Sequence, residues 1–274
     1  PDSIGMYATG KGSRIYNGPT GRIELSGRKR NIGIFAENGN IINRGNITLG
    51  GTAATALFGT ANSLMSNEGS INLNGTGNTG MFFENTSSTP SSEVLRNSGT
   101  IASTQGESAA MIYKPGNILA AGTTLVNNTG TITMAGDKNT GIYALKDTGN
   151  AGYVIENNGT IQANGDKSIG LYGETNDLYG RGLTSSNGSI TNNGKLILTG
   201  NKAVGIVSKR ATVKLNGTGS SDIVVGKEGI GVYAENSLVN LNSNYGIEVK
   251  DEGTGIYVDK DSEIITPGRT VELK

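Results

Sequence analysis

The feature that most constrains the fold of this chain is a repeated phrase. Residues 136–144 read GDKNTGIYA and residues 165–173 read GDKSIGLYG. Six successive units begin with an anchor glycine and carry a second small residue, glycine or alanine, 11 positions later. The anchors are Gly45, Gly69, Gly99, Gly130, Gly159 and Gly194. Looser copies extend the array to ten units or part-units, 23 to 35 residues apart. A period of this size indicates a solenoid.

Each unit contains three short apolar stretches. After the anchor Gly159, Ile161 and Ala163 alternate with polar residues, and Gly165 closes the stretch. The phrase GLYG follows at 170–173, and a third stretch, YVIEN at 153–157, precedes the anchor. Alternation with period two predicts a strand with one buried face. A glycine that closes a strand predicts a turn residue with positive φ.

Three strands per unit predict an all-β fold, a right-handed parallel β-helix of about ten rungs with three short strands per rung. Equivalent residues of successive rungs then stack about 4.8 Å apart, which gives a rod on the order of 50 Å long. We interpret residues 1–274 as a single β-helical segment truncated at both ends from a longer protein, because the opening phrase SIGMYA begins within a unit.

An asparagine stands two positions before every anchor glycine. In stacked rungs, these amides predict a ladder in which each side chain bonds to the next and satisfies turn backbone that faces the interior. The predicted ladder residues are Asn43, Asn67, Asn97, Asn128, Asn157 and Asn192.

The connection after the aromatic-bearing stretch carries all of the variation in length. The predicted insertions are residues 84–93, 114–124, 144–152 and 173–189. They would leave the rod at one corner and line up as a ridge along one side. Solenoids commonly place binding on the face that carries insertions.

The longest insertion carries the residues that we predict to bind a partner, Glu174, Asp177, Tyr179 and Arg181. Tyrosine and arginine are favoured at interfaces, and a long loop on a rigid scaffold is a usual place for recognition. The alternative interpretation is a solvated loop without a binding role.

In the stretch that contains the second small residue, as in GLYG at 170–173, an aliphatic residue is commonly followed by an aromatic one. The two must point to opposite faces, and the aliphatic residue is the better candidate for the interior. The aromatic residues would then form an outward stripe, which either stabilises the rod by about 0.5 to 1 kcal/mol per stacked pair or offers a platform to sugars. They are Tyr7, Phe35, Phe58, Phe82, Tyr143, Tyr172, Tyr233 and Tyr257.

Composition excludes several classes of function. The chain has 23 Lys plus Arg and 23 Asp plus Glu, so its formal net charge is zero, which argues against a nucleic-acid partner. It has no histidine and no cysteine, which excludes histidine triads, histidine metal sites and disulfides. No apolar run approaches the ~20 residues of a membrane-spanning helix, so we expect no membrane insertion by this segment.

The best pair of acids for carboxylate chemistry is Asp137 and Asp166, which follow equivalent glycines in successive units. Gly-Asp is also a common turn sequence without any function. We therefore predict no catalytic residue, no metal and no cofactor, and we expect that the chain is not an enzyme.

The sequences NNGTIQANGDKSIGLYG, NTGTITMAGDKNTGIYA and NSGTIASTQGESAAMIY resemble the passenger repeats of large bacterial type V autotransporter adhesins, especially the long outer-membrane adhesins of fusobacteria. The likeness spans nearly the whole chain. It implies an extracellular, cell-surface virulence protein anchored to the outer membrane through a C-terminal barrel absent from this chain. Its partners would be host or bacterial cell-surface proteins or glycans.

Two alternatives share the predicted fold. One is a carbohydrate-active β-helix that resembles a polysaccharide lyase or hydrolase, and the other is a structural stalk that binds nothing itself. A trimeric adhesin head has much shorter repeats, so we expect a monomer.

Overall fold

The computed structural model is all-β over the residues that it describes, which are 3–27, 29–86, 93–115, 122–146, 151–175, 188–217, 219, 221–241, 244–266 and 272–273. It contains three parallel sheets of ten strands each. Consecutive strands in the chain belong to successive sheets, so each coil contributes one strand to every sheet. The predicted parallel β-helix with three strands per coil is confirmed. Its right-handed sense stays a prediction.

The strands of the three sheets follow the three apolar stretches of the repeat. The first sheet contains Ile4–Thr9, Ile32–Glu37, Thr55–Thr60, Thr79–Asn85, Ala109–Pro115, Thr140–Lys146, Ile169–Thr175, Val204–Lys209, Ile230–Glu235 and Thr254–Val258. The second contains Arg14–Asn17, Asn40–Asn43, Leu64–Asn67, Glu93–Asn97, Gly122–Asn128, Ala151–Asn157, Gly188–Asn192, Thr212–Leu215, Leu238–Leu241 and Glu263–Ile265. The third contains Arg22–Leu25, Asn46–Leu49, Ser70–Leu73, Thr100–Ser103, Thr131–Met134, Thr160–Ala163, Lys195–Leu198, Ile223–Val225, Gly246–Val249 and Glu272–Leu273.

The core consists of columns of aliphatic side chains that run along the inside of each sheet. In the first sheet, Met111, Ile142 and Leu171 are in register and have no exposed surface. In the third sheet, Ile132 and Ile161 stack in the same way, with at most 1% exposed. Burying such a side chain contributes about 1.5–3 kcal/mol. The period-two pattern therefore identified the buried face of the strands between the end coils; the end strands Ile4–Thr9 and Glu263–Ile265 have no fully buried residue.

The anchor glycines are required by the close approach of neighbouring coils. A Cβ atom on Gly159 would lie 2.1 Å from the carbonyl oxygen of Gly130, and one on Gly194 would lie 2.0 Å from that of Gly159. No side chain fits at these distances. The close approach of neighbouring coils thus explains the glycine at each anchor, and no unusual backbone angle is involved.

The predicted positive φ at the strand-closing glycines was wrong at most positions. Of these glycines Gly136 has a positive φ, 89°, whereas Gly165 does not. A Cβ on Gly165 would lie 1.8 Å from the carbonyl oxygen of Gly136, so close approach again explains the glycine. The positive φ falls two residues later, on Lys138 at 57° and Lys167 at 58°.

The asparagines form a continuous buried ladder. Each Nδ2 donates to the Oδ1 of the asparagine in the next coil, with N to O distances of 2.7–2.8 Å. The ladder begins one coil earlier than predicted, because Asn17 donates to Asn43 at 2.7 Å. Its members are Asn17, Asn43, Asn67, Asn97, Asn128, Asn157 and Asn192.

The ladder ends where the turn between the second and third sheets widens. Asn192 is in register with Leu215, and its Nδ2 donates to the hydroxyl of buried Tyr245. The Asp222 carboxylate, 1% exposed, accepts from the backbone of Gly219 at 3.1 Å. It also pairs with Lys195 at 3.1 Å. The connection between the second and third sheets therefore also varies in length. The prediction that only the connection after the aromatic-bearing stretch varies was wrong.

A second buried polar column was missed in the sequence. It lies one residue before several strands of the first sheet, where side-chain oxygens accept hydrogen bonds from backbone N–H groups of the preceding coil. Its members are Asn31, Asn78, Ser108, Asn139 and Ser168. The Asn139 Oδ1 accepts from Ser108 at 2.8 Å, and the Ser168 Oγ accepts from Asn139 at 3.2 Å. The column satisfies turn backbone that the sheets leave unpaired.

We expect the ladder to stabilise the rod far more than an exposed amide does. Asn157→Ala removes two ladder bonds, so the buried Asn128 Nδ2 keeps only its 3.4 Å contact with the Gly130 carbonyl oxygen, and the buried Asn192 Oδ1 loses its ladder donor. It should lower the free energy of unfolding by about 3 kcal/mol. Asn158 is the matched control, because its exposed amide also bonds to both neighbours, at 3.4 and 2.7 Å. Asn158→Ala should change stability by less than about 0.5 kcal/mol. Urea denaturation followed by circular dichroism measures both, and equal losses would contradict the ladder's role.

The anchor glycines should tolerate no side chain. Gly159→Ala forces a methyl group against a backbone oxygen, and we expect it to destabilise the rod by about 3 kcal/mol. Gly50→Ala is the control, because its Cβ would meet no atom closer than 3.7 Å and it needs no positive φ. That variant should be neutral or slightly stabilising. Thermal melting compares the two, and a stable Gly159→Ala rod would show that the coils can separate locally.

Candidate functional site

The four predicted insertions all join a strand of the first sheet to a strand of the second. Their central parts, residues 87–92, 116–121, 147–150 and 176–187, lie outside the described residues. The first-sheet strands that lead into them have seven residues, one more than the strands Val204–Lys209 and Ile230–Glu235 of later coils. The rod is therefore extended at the corner that carries the insertions.

Large aromatic side chains fill the interior at this corner. Phe83, Tyr113 and Tyr153 are fully buried, and the rings of Phe83 and Tyr113 stack with centroids 6.1 Å apart. A Cβ on Gly173 would lie 2.6 Å from the Tyr153 hydroxyl oxygen, and one on Gly188 would lie 2.8 Å from it. The two glycines therefore leave room for the tyrosine of the preceding coil. The signal in the sequence was a second aromatic after the outward one, as in MFF at 81–83.

The structure describes one of the four predicted binding residues. Glu174 is the sixth residue of the strand Ile169–Thr175, at the start of the longest insertion, residues 173–189. Asp177, Tyr179 and Arg181 lie outside the described residues. Their proximity to Glu174 stays a prediction.

Glu174 lies in a polar cluster whose other members come from its own strand and from the next coil. Its Oε1 pairs with Nη2 of Arg210 at 2.7 Å, and its Oε2 accepts a hydrogen bond from the Tyr172 hydroxyl. Arg210 Nε donates to the Thr175 carbonyl oxygen, and the Thr175 hydroxyl donates to the Arg210 carbonyl oxygen. We name these four residues the stem cluster. Arg210 was missed because it follows Glu174 by 36 residues.

The surroundings of the stem cluster keep Tyr172 and the nearby Tyr143 and Tyr153 protonated. Burial, followed by donation to Glu174, raises the pKa of Tyr172. Burial and the nearby Glu174 charge raise the pKa of Tyr143, whose ring stacks on Tyr172 with centroids 4.8 Å apart. Complete burial raises the pKa of Tyr153 well above its ordinary value. At neutral pH these hydroxyls carry no charge, and that of Tyr172 donates to Glu174.

The aromatic stripe lies on the outside of the first sheet. Within it, neighbouring rings lie with centroids 4.8–5.3 Å apart; three pairs are stacked, and Tyr7–Phe35 and Phe58–Phe82 are tilted. The stripe is interrupted at Ile112 and Val207, which are in register with aromatic residues of neighbouring coils. Because neighbouring rings of the stripe contact one another, the arrangement favours stabilisation of the rod over a platform for sugars.

The best pair of acids has a structural role in the turns. The Asp137 carboxylate accepts from the backbone N–H of Asp166 at 2.9 Å, and the Asp166 carboxylate accepts from that of Asn201 at 2.8 Å. Each carboxylate therefore caps the equivalent turn of the next coil. Among the described residues, no group of three or more acidic side chains is placed to hold a metal ion. That part of the chain also contains no helix long and apolar enough to cross a membrane.

Comparison with known proteins gives one match. The model of a family described as the BigA third pectate lyase-like domain matches residues 2–146 of the 274. The match ends at Lys146, the last residue of a first-sheet strand, and does not include the stem cluster. No curated protein and no solved structure matches the chain.

Proposed function

The chain belongs to the family of the BigA third pectate lyase-like domain, and on this basis we propose that it is a non-catalytic segment of a bacterial cell-surface adhesin. BigA is an autotransporter-type adhesin. In the proposed role, the β-helix is a rod that extends from the cell and presents loops for binding.

The observation that carries this proposal is the position of the insertions. All four join the first sheet to the second, so they leave consecutive coils on the same side of the rod. Consecutive coils are about 4.8 Å apart, which allows several loops to contact one partner. The strands on both sides of each insertion are continuous with the core, so the loops start from a rigid scaffold.

We propose that the longest insertion makes the main contacts, through Glu174, Asp177, Tyr179 and Arg181. Tyrosine and arginine supply contact area and directional hydrogen bonds, and the Asp177 carboxylate accepts hydrogen bonds from hydroxyl or cationic groups. Glu174 is paired with Arg210 and Tyr172 and contributes its charge at the base of the loop. This chemistry fits a host or bacterial cell-surface protein or a glycan. The rod would act as a monomer.

The repeats resemble those of fusobacterial outer-membrane adhesins, and we extend the proposal on that basis. In that interpretation, the parent protein is anchored in the outer membrane, stands outside the cell and contributes to virulence.

A carbohydrate-active β-helix is the alternative, and an activity assay separates it. The words pectate lyase-like in the family description refer to the fold. Asp137 and Asp166 are both occupied as turn caps, which supports the absence of catalysis. We expect no new reducing ends above a protein-free blank when the protein is incubated with a panel of acidic and neutral polysaccharides. More than one new end per protein molecule would contradict the proposal.

Loop exchange tests the binding role. Replacing residues 176–187 by a Gly-Ser segment of equal length should reduce the attachment of protein-coated beads to cultured epithelial cells by about tenfold, the effect of losing one interface hot spot. The same exchange at residues 116–121 is the control and should have a smaller effect. Circular dichroism verifies that both rods fold. Unchanged attachment after the first exchange would favour a stalk whose parent binds elsewhere.

A further inference from the structure

We propose that Arg210 is a positioning residue that fixes where the longest insertion leaves the rod. The proposal rests on the function proposed above, because it gives Arg210 a role in presenting a binding loop. Arg210 itself need not touch the partner. Its contacts are with Glu174 and Thr175, the last two described residues at the start of the insertion.

The contacts hold the end of the strand from both its side chains and its backbone. Arg210 binds the Glu174 carboxylate with one nitrogen and the Thr175 carbonyl oxygen with another. The Thr175 hydroxyl returns a hydrogen bond to the carbonyl oxygen of Arg210. Thr175 is 1% exposed, so the strand end is packed against the coil that supplies the arginine. Residues 35 positions apart are thereby joined at the base of the loop.

The geometry explains why the residue is arginine. The planar guanidinium offers several N–H groups in a fixed fork, so it can serve a carboxylate and a carbonyl oxygen at once. A lysine ammonium has no such fork. The ion pair is partly buried, with 29% of the Arg210 and 21% of the Glu174 side chain exposed, so solvent screens it less than a surface pair.

The backbone of Arg210 has the conformation of the turn that follows a six-residue strand of the first sheet. Its φ is 54°, and Asn38, Ala61 and Asn236, at the same turn position, have φ of 57°, 58° and 48°. Because Ala61 lacks a polar side chain, the conformation belongs to the turn, and the role of Arg210 rests on its side-chain contacts.

Lys202 provides a matched control on the same coil. It flanks the strand Val204–Lys209 at the opposite end, has a φ of 56°, and pairs with Glu228 of the next coil at 3.1 Å. Its side chain is 56% exposed, and its ion pair lies at the corner opposite the insertions. Substituting Lys202 by alanine therefore changes the same kind of backbone and charge without touching the stem cluster.

The test compares Arg210→Ala, Arg210→Lys and Lys202→Ala in the full 274-residue chain. Limited trypsin digestion, with cleavage after Arg181 quantified by mass spectrometry, reports on the loop without any binding partner. We expect Arg210→Ala to be cleaved there about tenfold faster than the unmodified protein. The loss of a charge-assisted hydrogen bond raises, by that order, the fraction of molecules in which the base of the loop is detached from the next coil. Arg210→Lys should lie between the two, and Lys202→Ala should match the unmodified protein.

Attachment of coated beads to epithelial cells is the second readout. Arg210→Ala should reduce attachment while the circular dichroism spectrum stays unchanged, and Lys202→Ala should not reduce it. If Arg210→Ala fails to fold, Arg210→Lys decides, because it keeps the charge and the backbone.

The two proposals fail in distinguishable ways. If exchange of residues 176–187 lowers attachment but both arginine variants behave like Lys202→Ala in cleavage and attachment, the positioning role is overturned and the adhesin proposal stands. If the exchange leaves attachment unchanged while Arg210→Ala still accelerates cleavage after Arg181, the proposed binding role fails although Arg210 positions the loop.

Discussion

The backbone hydrogen bonding between parallel strands of successive coils sets the rest of this structure. It places every residue directly above its equivalent, one coil earlier, at the interstrand spacing of about 4.8 Å. Equivalent side chains of successive coils therefore contact one another, so a column is stable only where a residue packs well against copies of itself. Aliphatic residues, amides and aromatic rings satisfy this condition, and glycine is needed where the backbones of two turns come within about 2 Å of a Cβ position.

The same stacking solves the problem of buried polar backbone at the corners. A triangular coil must turn three times, and each turn leaves N–H and C=O groups that no sheet pairs. The asparagine ladder, the Asn139 and Ser168 column, and the Asp137 and Asp166 caps each serve one kind of turn. Because a ladder continues only while the register holds, these polar columns also oppose slippage of one coil over another. The turn widens near Asp222. There the buried polar groups are paired by Tyr245, which accepts from Asn192, and by Lys195, which donates to Asp222.

Function, in our proposal, depends on the corner between the first and second sheets, where the long insertions leave the rod. There the strands lengthen, aromatic residues such as Tyr153 fill the wider interior, and chain length varies from coil to coil. The rod is the rigid scaffold, and the loops at this corner differ in length from coil to coil. The Arg210 contacts show how a neighbouring coil can extend that rigidity to the base of a loop.

The sequence by itself determined the β-helix, the buried face of each strand, the asparagine ladder and the corner that carries the long insertions. These features repeat with the chain, so a single alignment of the units reveals them. Only the tertiary structure decided which residues of different coils meet without a repeating pattern. The partnership of Glu174 with Arg210, the packing of Tyr153 under Gly173, and the end of the ladder at Tyr245 each occur once. The coordinates were also needed to place the positive φ on Lys167 and not on Gly165. The glycine at position 165 is explained by the close approach of two coils and not by local turn chemistry. A repeat pattern fixes contacts between equivalent positions, whereas contacts between unlike positions depend on the space that the folded rod leaves for them.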